Sequence, residues 1–134
     1  MKRPINEIIL HCTATPSNTT VESIRNYHVN IKGWRDIGYH FLVQNGKVIT
    51  GRPVAELGAH CKGHNLNTIG IAYIGDEPTE LDVETLATLC NKLISEYPIT
   101  KITRHCRYDK RKTCPNFDDG HINDFDKLCE LPLQ

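Results

Sequence analysis

The sequence predicts an α/β protein. Short apolar runs of strand type alternate with two stretches of helical periodicity, and an Asn-Gly dipeptide joins two extended segments as in a β-hairpin. With 134 residues the chain has material for one hydrophobic core, so a single domain over residues 1–134 is expected. A hydrophobic fraction of 39% beside 24% charged residues suits a packed globular domain and excludes disordered or fibrous classes.

Ile5 to Cys12 contains the apolar run Ile8, Ile9, Leu10 and reads as a buried strand ending at His11, which delivers an imidazole to the rim of a sheet. Pro16 and Ser17 mark the loop beyond it. Thr19 followed by Glu22 has the spacing of a capping box. Ile24, Tyr27 and Ile31 then recur at helical spacing until Gly33, giving a helix from Thr20 to Lys32. Tyr39 to Gln44 and Lys47 to Gly51 are extended segments flanking Asn45-Gly46, whose residues accept the positive φ angles of a type I′ turn.

A polar loop rich in Gly, His and Asn runs from Gly58 to Asn67, and Thr68 to Ile74 alternates with small residues as a central strand. Leu86, Leu89, Cys90, Leu93, Ile94 and Tyr97 follow the helical pattern, predicting a long helix from Leu81 to Tyr97 that stops before Pro98. Ile99 to Arg104 is a further strand ending at His105, and Phe117 to Leu128 suggests a short C-terminal helix. Repeats and low-complexity segments are absent from the sequence.

Lys plus Arg equals Asp plus Glu, so no global field attracts a polyanion, and the basic run Lys110, Arg111, Lys112 reads as a solvated turn. No nucleic-acid partner is expected. Pro4, Asn6 and Glu7 interrupt the basic start before a long apolar run forms, which argues against a signal peptide and predicts cytoplasmic synthesis. No apolar run approaches the ~18 residues of a membrane span. In that compartment the six cysteines read as buried small hydrophobes, as for Cys90 and Cys129 on helical faces, or as site residues, rather than as disulfides.

His11, His60, His64 and His105 fall in loops or at strand ends, where imidazoles reach ligands. A catalytic zinc needs three His, Cys or carboxylate ligands and one open position, and these come from distant parts of a chain. His105 and Cys114 have no CxxC or HExxH around them, so spacing alone leaves both a metal site and an ordinary buried thiol open.

Several segments resemble a known family in both content and order. They are Ile9-Leu10-His11-Cys12-Thr13-Ala14-Thr15, Gly38-Tyr39-His40-Phe41, Gly51-Arg52-Pro53, Gly58-Ala59-His60-Cys61-Lys62-Gly63-His64-Asn65 and Ile69-Gly70-Ile71. Arg104-His105 and Lys112-Thr113-Cys114-Pro115-Asn116-Phe117-Asp118 complete the set. Their order resembles the type 2 N-acetylmuramoyl-L-alanine amidases, in particular the phage lysozyme-like members, with peptidoglycan recognition proteins as relatives. The resemblance implies an α/β fold with a mixed central β-sheet flanked by helices and a zinc groove on one face.

Carried over position by position, the resemblance implies Zn²⁺ as cofactor, held by His11, His105 and Cys114 with one position open for water. It places Tyr39 beside the metal, Lys112 two positions before the ligand cysteine, and His60 on the wall of the substrate groove. The implied activity is hydrolysis of the amide between N-acetylmuramic acid and L-alanine in peptidoglycan, by a monomer in an endolysin-like setting or on recycled muropeptides. Cys106, Cys12 and Cys61 depart from the family pattern by placing thiols beside motif residues. Two other functions stay open: a non-hydrolytic peptidoglycan-binding protein of the same fold, and a thiol hydrolase using Cys12 or Cys106.

Overall fold

Strands β1 (Glu7–Cys12), β2 (Phe41–Gln44), β3 (Lys47–Thr50), β4 (Thr68–Tyr73) and β5 (Lys101–Arg104) form one sheet in the order β3-β2-β4-β1-β5. The computed structural model describes residues 3–134, so Met1 and Lys2 of the basic start lie outside the described residues. β1 runs parallel to β4 and β5, β4 runs parallel to β2, and only the β2-β3 hairpin is antiparallel, which makes the sheet mixed. The central strands β1 and β4 are buried along their whole length, hence their near-continuous apolar runs in sequence.

One face of the sheet carries the larger core. Ile8, Leu10, Ile69, Ile71 and Ile102 pack there with Val83, Leu86 and Leu93 of α2 (Glu80–Glu96) and Phe125 of α4 (Asp119–Leu128). A smaller core joins Leu42 and Ile74 to Val21 and Ile24 of α1 (Val21–Asn26). Because strand side chains alternate, the residues between the α2-facing isoleucines, namely His11 on β1 with Thr68 and Gly70 on β4, point to the opposite face. That alternation places the chemistry away from the long helix.

The Asn45-Gly46 turn has the predicted positive φ at both residues, 52° and 77°. The first helix departs from prediction at both ends. Its cap is Thr20, whose hydroxyl accepts from Ser23 N at 3.1 Å, whereas the Thr19 hydroxyl is drawn off to Pro16 O at 2.7 Å. After Asn26 the helix widens into a π-helical turn over Tyr27–Ile31, closed by Lys32 N donating to Tyr27 O. Periodicity near 3.6 cannot reveal such a turn, which changes the direction of the side chains that follow it.

Other boundaries move by a few residues. β1 begins at Glu7 and includes Cys12, β5 begins at Lys101, and α4 begins at Asp119 rather than Phe117. His105 opens α3 (His105–Tyr108), a single turn at the end of β5. Helix α2 starts one residue before the predicted Leu81 because Thr79 and Asp82 form a reciprocal capping box, Thr79 Oγ1 accepting from Asp82 N at 3.1 Å and Asp82 Oδ2 from Thr79 N at 3.0 Å. Thr79→Ala is expected to cost about 1 kcal/mol in urea unfolding, with Thr79→Ser near wild type. An unchanged midpoint in the alanine variant would show that the cap contributes nothing.

The six cysteines are free thiols in this structure. Among the described residues no helix is long and apolar enough to cross a membrane.

Candidate metal centre and its groove

Of the side chains singled out in sequence, His11, Tyr39, His60, His105, Lys112 and Cys114 converge on one groove of about 610 Å³, whereas His64 and Cys106 do not line it. Those that line it come from five separate segments of the chain. A groove of similar volume, about 620 Å³, lies between β3 and α2, but its walls are apolar, hydroxyl and charged side chains without a His or Cys.

His11 sits on β1 and is 1% exposed. Its ring centroid lies 4.3 Å from that of His105 and 5.4 Å from that of Tyr39, and its Nε2 is 2.9 Å from His60 Nδ1. Burial, then the neighbouring His60 and His105 rings, holds the His11 pKa well below its ordinary value, so the ring stays neutral with a lone pair to offer. His60 is depressed too, first by burial and then by His40 and His105.

The end of β5 delivers His105, and α3 is anchored one turn further on. Tyr108 stacks on His64 with ring centroids 3.9 Å apart, and its hydroxyl donates to buried Glu7 Oε2 at 2.7 Å. Cys114 lies on the loop after α3, which is held by Cys106 N donating to Cys114 O at 3.0 Å and by the Tyr73 hydroxyl donating to Pro115 O at 2.6 Å. The peptide bond between Cys114 and Pro115 is cis. Cys114 Sγ is 3.0 Å from Cys12 Sγ and also meets His105. The hydrogen bond from Cys12, reinforced by the one from His105, holds the Cys114 thiol well below the usual range, and the same contact pushes Cys12 up. Cys114 is therefore the more acidic thiol of the pair, the one more readily converted to the thiolate that ligates metals.

Tyr39 is positioned by its loop. Arg52, 6% exposed, donates through its guanidinium to Ile37 O, Leu57 O and Asp36 O, and its backbone N–H donates to Tyr39 O. The Gly51-Arg52-Pro53 motif is thus a strap holding the segment that carries Tyr39. Burial, then the Cys114 and Cys12 thiols, pushes the Tyr39 pKa up, so the phenol keeps its proton. Lys112 is exposed on the rim. Arg111 beside it pairs with Asp109 at 3.1 Å on the surface, as a solvated turn should.

Sequence reasoning missed several wall residues. Tyr27, His28 and Lys32 reach the groove from the π-helical turn and its end, beside Trp34, the single tryptophan, which the sequence already offers as core or groove wall. Lys32 lies 5.4 Å from the Trp34 ring, which is half-buried in the wall. Cys12 stood in the sequence as a flanking thiol and a candidate nucleophile, and nothing there indicates its contact with Cys114 across 102 positions.

Among the described residues no three His, Cys, Asp or Glu side chains already stand in a metal-binding arrangement. The donor set nevertheless fits zinc chemically: two imidazoles within ring contact and a depressed thiol in contact with one of them.

Comparison with known proteins decides the family. The family model for N-acetylmuramoyl-L-alanine amidase matches residues 1–117. This chain belongs to that family. It is therefore an enzyme of the N-acetylmuramoyl-L-alanine amidase class. The endolysin of Escherichia phage T7 is 36% identical over 123 residues, spanning 83% of this chain and 80% of that protein. Peptidoglycan-recognition protein 2 of Holotrichia diomphalia is 34% identical over 87 residues, 59% of this chain and 46% of its own length. In three dimensions the amidase chain resembles the N-acetylmuramoyl-L-alanine amidase LysC of Clostridium intestinale, with a TM-score of 0.83 and 31% identity over 95% of this chain and 86% of that one. The mixed sheet expected from the motifs is the fold these amidases share.

Proposed function

We propose that the chain is a zinc-dependent hydrolase of the amide between N-acetylmuramic acid and L-alanine in peptidoglycan, working as a monomeric single catalytic domain over residues 1–134 in an endolysin-like setting. His11, His105 and Cys114 hold the metal, Tyr39 and Lys112 act on the reacting amide, and His60 forms part of the groove wall. The convergence of His11, His105 and Cys114 beside Tyr39 in one groove carries this reading. Membership of a family that includes phage endolysins supports it.

Bound zinc supplies Lewis acidity with one open coordination position, the property that lets a hydrolytic site work near neutral pH. The protein's own residues do the rest. In the reaction, water oxygen bonds to the carbonyl carbon, the C–N bond breaks, and the alanine amine leaves with a proton. Negative charge builds on the carbonyl oxygen. Tyr39, protonated at neutral pH, meets that charge as a hydrogen-bond donor rather than as a base. Lys112 brings a positive charge to the rim, and the half-buried Trp34 and Tyr39 rings narrow the groove around an extended glycopeptide.

The test combines zinc analysis of purified protein with release of alanine-linked peptides from peptidoglycan, before and after chelation. The expected result is about one zinc per chain, activity abolished by the chelator, and recovery on adding zinc back. Muropeptide binding without turnover would move the chain to the recognition proteins, and chelator-resistant turnover would point to a cysteine nucleophile.

A further inference from the structure

The hydrogen bonds behind His11 have a direction, and it can be read from one end. Thr68 Oγ1 lies 2.7 Å from His64 O, and a carbonyl can only accept, so the hydroxyl proton is committed there. The other contact of that hydroxyl, His60 Nε2 at 3.1 Å, must then be a donor. A neutral imidazole carries one N–H, so His60 Nδ1 holds a lone pair and accepts from His11 Nε2 at 2.9 Å. His11 has one proton as well. Its Nδ1 is left as the free lone pair.

The ring that transmits this choice has little freedom. His60 lies directly over β4, where a Cβ on Gly70 would stand 2.3 Å from His60 Cγ. Its backbone N–H and that of Cys61 both donate to Asn65 Oδ1, at 3.1 and 3.0 Å, pinning the loop. His60 is 8% exposed and Thr68 2%. Both ring nitrogens of His60 are therefore engaged by protein, His11 on one side and Thr68 on the other.

We infer that Thr68 and His60 form a positioning relay that fixes the tautomer and orientation of His11, so that Nδ1 is the nitrogen presented to the metal. This inference rests on the proposed role of His11 as a zinc ligand. It gives His60 a task beyond lining the groove and gives Thr68, at the start of β4, a part in the site. Partners of this kind are worth about 10- to 100-fold in metal affinity.

The decisive experiment reads ring-nitrogen NMR shifts of ¹⁵N-labelled, metal-free protein at neutral pH, and zinc affinity by competition with a chromogenic chelator, for wild type, Thr68→Val and Thr68→Ser. In the wild type, His11 and His60 are both expected as Nε2–H tautomers. Thr68→Val keeps the β-branched shape and removes the acceptor. It should redistribute the ring protons and weaken zinc about 10- to 100-fold, while Thr68→Ser restores both readouts. An Nδ1–H tautomer at His11 in the wild type, or a doubly protonated His60, overturns the relay even should Thr68→Val fail to fold. Unchanged tautomers and zinc affinity in folded Thr68→Val overturn it too. A wild type that binds no zinc refutes the metal reading instead, and the tautomers still judge the relay.

Discussion

Replacing Cys114 by serine is expected to lower amide turnover by about 10³-fold or more while leaving the protein folded. Lewis-acid catalysis supplies several kcal/mol of transition-state stabilisation, and each 1.36 kcal/mol is about a factor of ten in rate. Serine is nearly isosteric with cysteine but does not offer a thiolate. Cys114 owes its depressed pKa to the Cys12 and His105 contacts, both of which act on the ionised sulfur and are lost with it. Zinc content should fall with turnover, whereas muropeptide binding along the Trp34 and Tyr39 wall should persist. The same measurement separates the thiol-hydrolase reading. Cys12 is 3% exposed and its thiol is pushed up by the Cys114 contact and by burial, a poor setting for a nucleophile. If Cys114→Ser kept its activity and Cys12→Ser lost it, the zinc assignment would be wrong.

The second large effect concerns acid. His28 and His40 are buried at 8% and 1% exposure, and each accepts a backbone hydrogen bond on Nδ1, from Gly38 N and Gly70 N respectively, both at 3.0 Å. Burial, chiefly, lowers each pKa from 6.5 to about 4, with Lys32 and Arg52 adding to the effect at His28 and Arg3 and Arg52 at His40. Between those values the unfolded chain takes up protons that the folded protein refuses. Stability is therefore present in full above about pH 6.5 and is lost as the pH falls toward 4. At 1.36 kcal/mol per pH unit the gap amounts to about 3 kcal/mol for each residue, a large share of the roughly 5–15 kcal/mol that holds a typical domain folded. Urea unfolding of chelator-treated protein should show its midpoint falling steeply from pH 7 to 4.5. The double variant His28→Asn with His40→Asn keeps an acceptor near each Nδ1 position but cannot titrate, so its profile should be flatter. An equally steep profile in the variant would assign the acid sensitivity to other groups.

Much of the fold is legible residue by residue. β1 and β4 announce themselves as apolar runs because both of their faces are covered, and the Asn45-Gly46 turn because few other dipeptides tolerate positive φ twice in succession. Helix α2 is visible from the spacing of Leu86, Leu89, Cys90 and Leu93 on the face it buries. The π-helical turn over Tyr27–Ile31 is not, since a single widened turn leaves no periodic mark in so short a helix. The Thr19 cap failed because two adjacent threonines compete and the local turn at Pro16 decides between them.

For the site, the sequence by itself determined the motif residues His11, Tyr39, His60, His105, Lys112 and Cys114, the resemblance that joins them, and the strand ends that carry two of the histidines. It also determined that β4 alternates large with small residues. Only the tertiary structure decided what that alternation is for: Gly70 leaves room for the His60 ring, and Thr68 supplies the atom that orients it. It likewise decided that Cys12, 102 positions away, is the neighbour of Cys114. The physical reason is range. Periodicity, capping and turn chemistry are local and leave their marks within a few residues, whereas hydrogen-bond direction, desolvation and thiol contact arise between segments that meet only when the sheet has formed.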